Sequence, residues 1–100
     1  MIRHVVLLSW NEEGTIAAVA NVTEGLSKLP AQIPEIKSYC FGPDLELFKG
    51  NANYVLVADF ESEEDFKSYV EHPAHQDFMK KVTGPIMASF HSAQFEVASG

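Results

Sequence analysis

Three side chains that can give or take protons lie within seven residues in the second half of the chain. They are Tyr69, His72 and His75, in the segment Tyr-Val-Glu-His-Pro-Ala-His. Removing a proton next to a carbonyl group requires a base with a pKa near neutrality and a hydrogen-bond donor for the enolate oxygen. Histidine and tyrosine can supply these two groups. Taken alone, the residues favour a structural interpretation, in which His72 caps a helix while His75 and Tyr69 pack at its edge.

The helix that should carry His75 begins at Pro73, which is tolerated in a first helical turn because an N–H would be unpaired there. The positive end of the helix dipole is expected to disfavour the protonated form of His75 and to leave a neutral imidazole. Tyr69 lies one turn before this break, on a predicted buried stripe with Phe66 and Val70. The pattern therefore allows a base and a donor on neighbouring helices.

A metal site is not expected. His72 and His75 have the spacing of a helical ligand pair, but Pro73 breaks the helix that would align them. A stable transition-metal site would also need three convergent ligands. Cys40 is the only cysteine, so neither a thiolate cluster nor an internal disulfide is predicted, and we expect it to be a small buried residue. No cofactor is expected.

Apolar periodicity divides the chain into four strands and the helices that connect them. Strands are predicted at 2–10, 36–41, 54–60 and 89–97. The first helix starts near Thr15 and is expected to be ended by Pro30 and Pro34. The second starts at Ser62, a hydroxyl N-cap that three acidic residues follow. The third carries an apolar stripe formed by His75, Phe78, Met79 and Val82.

The resulting order predicts an α+β fold of the ferredoxin-like type, β-α-β-β-α-β, with a four-stranded antiparallel sheet in one domain of residues 1–100. A sheet that is covered on one face should alternate apolar and polar residues. The first strand is instead apolar on both faces, with Val6 and Leu8 on one and Val5 and Leu7 on the other. We therefore expect a homodimer in which two sheets pack face to face. The alternative is an apolar face that stays open to water.

Composition argues against several classes of partner. The 14 acidic and 7 basic residues give a formal charge of −7, which repels a phosphate backbone, so we expect no nucleic-acid partner. The longest fully apolar run, Val5 to Leu8, is far shorter than the roughly 20 residues of a membrane helix. The N-terminus does not have the pattern of a signal peptide. We expect a cytoplasmic protein that does not bind membranes.

Several segments together carry a resemblance to a known family. They are the Tyr69–His75 segment with Phe78 after it, the first strand with His4, the entry Ile33–Ile36 to the second strand with Gly42 after it, and the third strand. On these residues the chain resembles the stress-responsive A/B barrel (Dabb) family of the dimeric α+β barrel superfamily, over nearly its whole length. The Tyr-x-x-His-Pro-x-His pattern is the most specific of these features.

The resemblance implies a homodimeric α/β barrel and a candidate site. One member is a plant polyketide cyclase of the olivetolic acid cyclase type, which closes a ring by an aldol-type reaction without a cofactor. By this similarity His75 would be the base and Tyr69 would orient a substrate carbonyl. The pocket would be lined by His4, His72, Val6, Leu8 and Phe78.

The chain also departs from that cyclase. There, an acidic residue late in the fourth strand supports the histidine of the first strand. Here the corresponding stretch, Ala93-Gln94-Phe95, has no carboxylate, and the nearest polar alternatives are His91 and Glu96. The loop from Asp44 to Asn53 differs as well. The substrate of the cyclase therefore cannot be assigned to this chain from the resemblance.

Three functions stay open. A cofactor-free cyclase or lyase for a small apolar carbonyl compound predicts an open cavity with His75 and Tyr69 facing inward. A non-catalytic dimeric stress-associated or ligand-binding protein predicts a pocket filled by Phe78, Met79 and Trp10. A cofactor-independent monooxygenase occurs in the wider superfamily, although no local feature of this sequence favours it.

Overall fold

The computed structural model describes residues 1–98. Its strands are β1 (Ile2–Trp10), β2 (Ser38–Pro43), β3 (Tyr54–Phe60) and β4 (Met87–Glu96), and its helices are α1 (Ile16–Gln32), α2 (Glu63–Glu71) and α3 (Pro73–Phe78). A π-helical turn, Met79–Thr83, and a 3₁₀ turn, Gly84–Ile86, continue α3. The sheet is antiparallel throughout and has the strand order β2-β3-β1-β4. The predicted ferredoxin-like order of elements is confirmed.

Hydroxyl side chains cap both helices at their predicted starts, and the cap at Ser62 was predicted as such. Thr15 accepts a hydrogen bond from the Ala18 N–H at 3.2 Å, and Ser62 accepts one from the Asp65 N–H at 3.1 Å. Each cap satisfies an N–H group that has no partner within its helix. Local sequence therefore determines where α1 and α2 begin.

Three elements, α1, β2 and β4, have boundaries that differ from the prediction. Pro30 lies inside α1, which continues to Gln32, because a proline so near the end removes only one bond from the last turns. β2 begins at Ser38, since the preceding residues form a turn in which the Ile36 N–H donates to the Ile33 carbonyl. It ends at Pro43, which an edge strand tolerates. β4 begins two residues earlier than predicted, at Met87.

The helices cover one face of the sheet, which we call the inner face. The core lies there, and its largest fully buried side chains include Tyr54, Phe60 and Tyr69. Val70 does not belong to this core, contrary to the predicted stripe, because it is 39% exposed. Within residues 1–98, no helix has the length and apolarity to cross a membrane.

The opposite face of the sheet, the outer face, is open in the single protomer. Leu7 on β1 is 42% exposed and Phe95 on β4 is 51% exposed. Cys40 on β2 is also exposed, which corrects the prediction that it is buried. Its register partner is Val57 on β3, so it belongs to this uncovered face.

Candidate active site

A cavity of about 280 Å³ lies between the inner face of the sheet and the α2–α3 segment. Its volume is just below the roughly 300–1,000 Å³ found for small-molecule sites. Larger grooves at the loop 44–53 and at the start of α2 are more open. The cavity combines mostly apolar walls with a few convergent polar groups, which is typical of a ligand site.

The structure brings six of the seven predicted site residues to this cavity. They are His4, Val6, Leu8, Tyr69, His75 and Phe78. His72 does not line it. The His72 Nδ1 atom instead accepts a hydrogen bond from the Ala74 N–H at 3.0 Å and caps α3, which is the structural alternative recognised in the sequence.

His4 enters the cavity from β1 and is held by a residue of β4. The Gln94 Nε2 atom lies 2.9 Å from His4 Nδ1. Because an amide N–H donates, Nδ1 accepts, and the neutral ring carries its proton on Nε2. Burial, with a smaller contribution from the charge of His75, lowers the pKa of His4 to about 4. His4 is therefore neutral at pH 7 and can offer an Nε2–H group to a ligand.

His75 is also held at Nδ1, but there the ring nitrogen donates instead of accepting. The His75 Nδ1 atom lies 3.2 Å from the Val70 carbonyl oxygen. A carbonyl oxygen can only accept, so Nδ1 carries the proton and Nε2 keeps a free lone pair. Burial lowers the pKa of His75 and outweighs the bond to Val70, which raises it, and the charge of His72 lowers it further. The predicted neutral imidazole agrees with this direction, but the leading cause is burial rather than the helix dipole.

The ring of Tyr69 lies beside both imidazole rings. Its ring centroid lies 4.4 Å from that of His75 and 6.2 Å from that of His4. The Tyr69 hydroxyl is 2.6 Å from the hydroxyl of Tyr39, a β2 residue behind it. Burial raises the pKa of Tyr69 to about 12, although the bond to Tyr39 opposes the shift. The group is therefore protonated, and when Tyr39 donates to it, the Tyr69 proton is free for a ligand.

Sequence reasoning missed two polar partners of the site, Gln94 and Tyr39. Gln94 occupies the stretch of β4 in which a carboxylate was sought, directly opposite His4 in the β1–β4 register. The alternatives named from the sequence lie elsewhere: His91 is opposite Leu7 on the outer face, and Glu96 approaches the N-terminal amine at 3.7 Å. The register between β1 and β4 identifies Gln94 as the partner of His4, but the sequence does not reveal that register.

The remaining walls are largely apolar. Leu26, Leu56, Met79 and Phe90 line the cavity together with the hydroxyls of Thr83 and Ser92. Among residues 1–98, no group of three or more His, Cys, Asp or Glu side chains is arranged to hold a metal ion. The arrangement can therefore bind a small apolar molecule and present a lone pair and two proton donors to its polar end.

Comparison with known families agrees with the fold. The model of the stress responsive A/B barrel domain matches residues 2–97. The chain belongs to this family. The A/B barrel protein HS1 of Arabidopsis thaliana is 27% identical over 79 residues, which are 77% of this chain and 72% of that protein.

Two solved structures illustrate the range of the A/B barrel fold. A protein of unknown function from Thermobifida fusca, described as dimeric and ferredoxin-like, is 42% identical with a TM-score of 0.89, over 96% of this chain and 90% of that one. A hydroxynitrile lyase from Passiflora edulis has a TM-score of 0.84 but only 17% identity, over 99% of this chain and 94% of that one. The second likeness concerns the fold alone.

Proposed function

We propose that this A/B barrel protein is a cofactor-free lyase or cyclase that removes a proton next to a carbonyl group of a small apolar compound. The observation that carries the proposal is the opposite polarity of the two cavity histidines. Val70 holds His75 so that its Nε2 lone pair is free, whereas Gln94 holds His4 so that its Nε2 bears a proton. One ring can therefore accept a proton while the other donates a hydrogen bond.

In the proposed reaction, His75 takes the proton from the carbon next to the carbonyl group. The electron pair of the broken C–H bond forms the enolate, and its oxygen accepts hydrogen bonds from the Tyr69 hydroxyl and from His4 Nε2–H. In a cyclase, the enolate carbon then bonds to a second carbonyl carbon, whose π electrons move to its oxygen and leave an alkoxide to be protonated. In a lyase, the enolate instead re-forms its C=O bond and a new C=C bond, and expels a leaving group from the β-carbon with the electron pair of the broken bond. The imidazolium of His75 finally returns its proton to the product.

The environment of His75 restricts the substrate class. Burial lowers the pKa of His75 below its usual 6.5, so its neutral form is a weaker base than a histidine in water. Efficient proton transfer then requires a carbon acid that is itself easily ionised. A compound with two carbonyl groups flanking the reacting carbon meets this requirement, and the apolar walls suit a hydrocarbon tail.

Hydrogen exchange in heavy water tests the proposal without knowledge of the natural substrate. The exchange of the central protons of 2,4-hexanedione is followed by NMR above the rate in buffer, with 2-hexanone as a less acidic comparison. Removal of a general base typically costs about 10²–10⁴-fold, so His75→Ala should lose nearly all of the protein-dependent exchange. His91→Ala is the matched control, since that histidine lies opposite Leu7 on the outer face.

Two outcomes would contradict the proposal. The wild-type protein could exchange both ketones no faster than buffer, or His75→Ala could exchange the diketone as fast as the wild type while keeping its circular dichroism spectrum. The first outcome would show that the cavity does not promote proton removal next to a carbonyl group. The second would remove His75 from the mechanism.

The alternative of a non-catalytic protein predicted a filled pocket, and the packing counts against it. Phe78 and Met79 form walls of the cavity and leave it open. Trp10 packs on Tyr54, with ring centroids 5.7 Å apart, and borders a separate groove. No particular feature of the cavity favours a monooxygenase.

We further propose that the protein works in the cytoplasm as a homodimer joined through the outer faces of two sheets. The Thermobifida fusca relative is described as dimeric, at 42% identity. The exposed Leu7 and Phe95 lie on this face. A second copy would shield these side chains from water, which supplies the driving force for association.

A further inference from the structure

The middle of α1 contains a glycine at a position where a helix is more stable with a side chain. Gly25 lies inside the continuous helix Ile16–Gln32. Glycine lowers helix stability because it loses the most conformational freedom on folding. No turn requires it here, since the glycine with a positive φ among the described residues is Gly50. The reason for Gly25 must therefore lie in what packs against it.

The ring of Phe78 occupies the space that a side chain at position 25 would need. A Cβ atom on Gly25 would lie 2.2 Å from Cε1 and 2.7 Å from Cδ1 of Phe78, whereas contacts of Cβ below 3.0 Å essentially never occur. The ring therefore rests directly on the backbone of α1. Any larger residue at position 25 must displace either this ring or the helix.

The packing decides which of the two moves. α1 is fixed in the core by the buried side chains Val22, Leu26 and Leu29. Phe78 is only 8% exposed and also forms a wall of the 280 Å³ cavity. Protein interiors are close-packed, so the empty space available to a displaced ring is the cavity itself.

We infer that Gly25 is a specificity-determining residue of the site. By letting the Phe78 ring rest against α1, it sets the depth of the cavity and hence the length of the apolar chain that a carbonyl ligand can carry. This inference rests on the proposed function, which places such a ligand in the cavity.

Crystal structures of the wild type and of Gly25→Ala test the packing directly. The ring of Phe78 should move into the cavity and reduce its volume. The double variant Gly25→Ala/Phe78→Leu should restore that volume, because leucine leaves room for the new methyl group. Ser27→Ala is the matched control: it changes an exposed residue of the same helix and should leave the cavity unchanged.

Binding of a ketone series tests the consequence for specificity. Titrations with 2-butanone, 2-hexanone and 2-octanone are followed by the NMR shifts of cavity methyl groups. Because a single methylene group in an apolar pocket can change affinity by about tenfold or more, Gly25→Ala should bind 2-octanone at least about tenfold more weakly. The affinity for 2-butanone should change little, and the double variant should bind 2-octanone as tightly as the wild type does.

Unchanged cavity volume in Gly25→Ala, or an unchanged preference along the ketone series, would overturn the inference. If no form binds any of the ketones, the proposed ligand class is wrong, while the crystal structures still decide whether Gly25 sets the depth of the cavity. If Gly25→Ala does not fold, Phe78→Leu alone must deepen the cavity and favour the longest ketone. If Phe78→Leu neither deepens the cavity nor favours the longest ketone, the inference is also overturned.

Discussion

At the scale of single residues, the chemistry of the site depends on whether the partner of each imidazole Nδ1 donates or accepts a hydrogen bond. A glutamine amide can donate to an imidazole nitrogen, whereas a backbone carbonyl can only accept from one. Gln94 and the Val70 carbonyl therefore fix opposite proton positions on His4 and His75. The same residue type thus serves as donor and as acceptor in one cavity.

Gln94→Glu should make His4 easier to protonate. A carboxylate beside Nδ1 favours the protonated ring, so the pKa of His4 should rise from about 4 by roughly one unit or more. NMR titration of the histidine Cε1–H signals measures this change. The signal of His91, which lies on the outer face, serves as the internal control. A His4 signal that still titrates near pH 4 would contradict the assignment.

The lowered pKa of His4 also predicts how stability depends on pH. The ring has a pKa of about 4 in the folded protein and about 6.5 in the unfolded chain, so the unfolded chain binds more protons between these values. The free energy of unfolding should therefore fall as the pH decreases through this window, by roughly 2–3 kcal/mol between pH 7 and about pH 4.5. The lowered pKa of His75 acts in the same direction.

Urea unfolding at the two pH values, at one protein concentration, measures the effect. His4→Gln should lose about 2 kcal/mol less stability than the wild type over the same change, because its side chain does not titrate. Equal losses in His4→Gln and the wild type would show that His4 is not the group responsible. Asp59, whose pKa is lowered from 3.8 by its bond to Arg3, titrates below this window.

At the scale of elements, the break between α2 and α3 explains how His75 is oriented. In a continuous helix the Ala74 N–H would donate to the Val70 carbonyl, four residues earlier. Here that N–H donates to His72 Nδ1 instead, and Pro73 has no N–H to offer. The Val70 carbonyl is therefore left for His75 Nδ1.

His72→Ala should disturb this arrangement although His72 lies outside the cavity. Without the cap, the Ala74 N–H can return to the Val70 carbonyl, and His75 then loses its fixed proton position. The ring ¹⁵N shifts of His75 should change toward a mixture of the two neutral forms. Loss of the cap should also cost about 1 kcal/mol of stability.

His72→Asn is the matched control, because asparagine can cap a helix as well as the native residue does. It should keep both the stability and the ¹⁵N pattern of His75. If His72→Ala left that pattern unchanged, the cap would not be what keeps the Val70 carbonyl available.

At the scale of the whole molecule, the outer face combines an apolar centre with a polar end. Arg3 contacts Asp59 at 2.8 Å and 3.0 Å, and Ser38 donates to the same carboxylate at 2.9 Å. This network joins β1, β3 and β2 beside the apolar residues. Its groups satisfy one another, so a partner sheet could cover them without leaving an unpaired charge.

Leu7→Asp should separate the proposed dimer. The substitution places a carboxylate in the apolar part of the outer face, where a partner sheet would bury it without a counter-charge. Light scattering coupled to size exclusion should give a dimer for the wild type and a monomer for the variant. Ile16→Asp, at an exposed position at the start of α1, should remain a dimer. A wild type that stays monomeric at high concentration would contradict the proposed assembly.

The sequence by itself determined those features that depend on neighbours along the chain. Thr15 and Ser62 cap their helices wherever the rest of the protein lies, and the apolar residues on both faces of β1 predict that both faces are covered. Pro73 and His72 mark the break before α3 for the same reason. Element order, and with it the fold, follows from such local signals.

Only the tertiary structure decided the contacts between distant segments. Gln94 meets His4 because of the register between β1 and β4, and Tyr39 meets Tyr69 because β2 lies at one edge of the sheet. From the sequence alone, Gly25 is only a residue that lowers the stability of α1. The contact with Phe78, which the structure shows, explains why a side chain is not accommodated there. Register and close approach depend on the packing of the whole chain, so no local pattern records them.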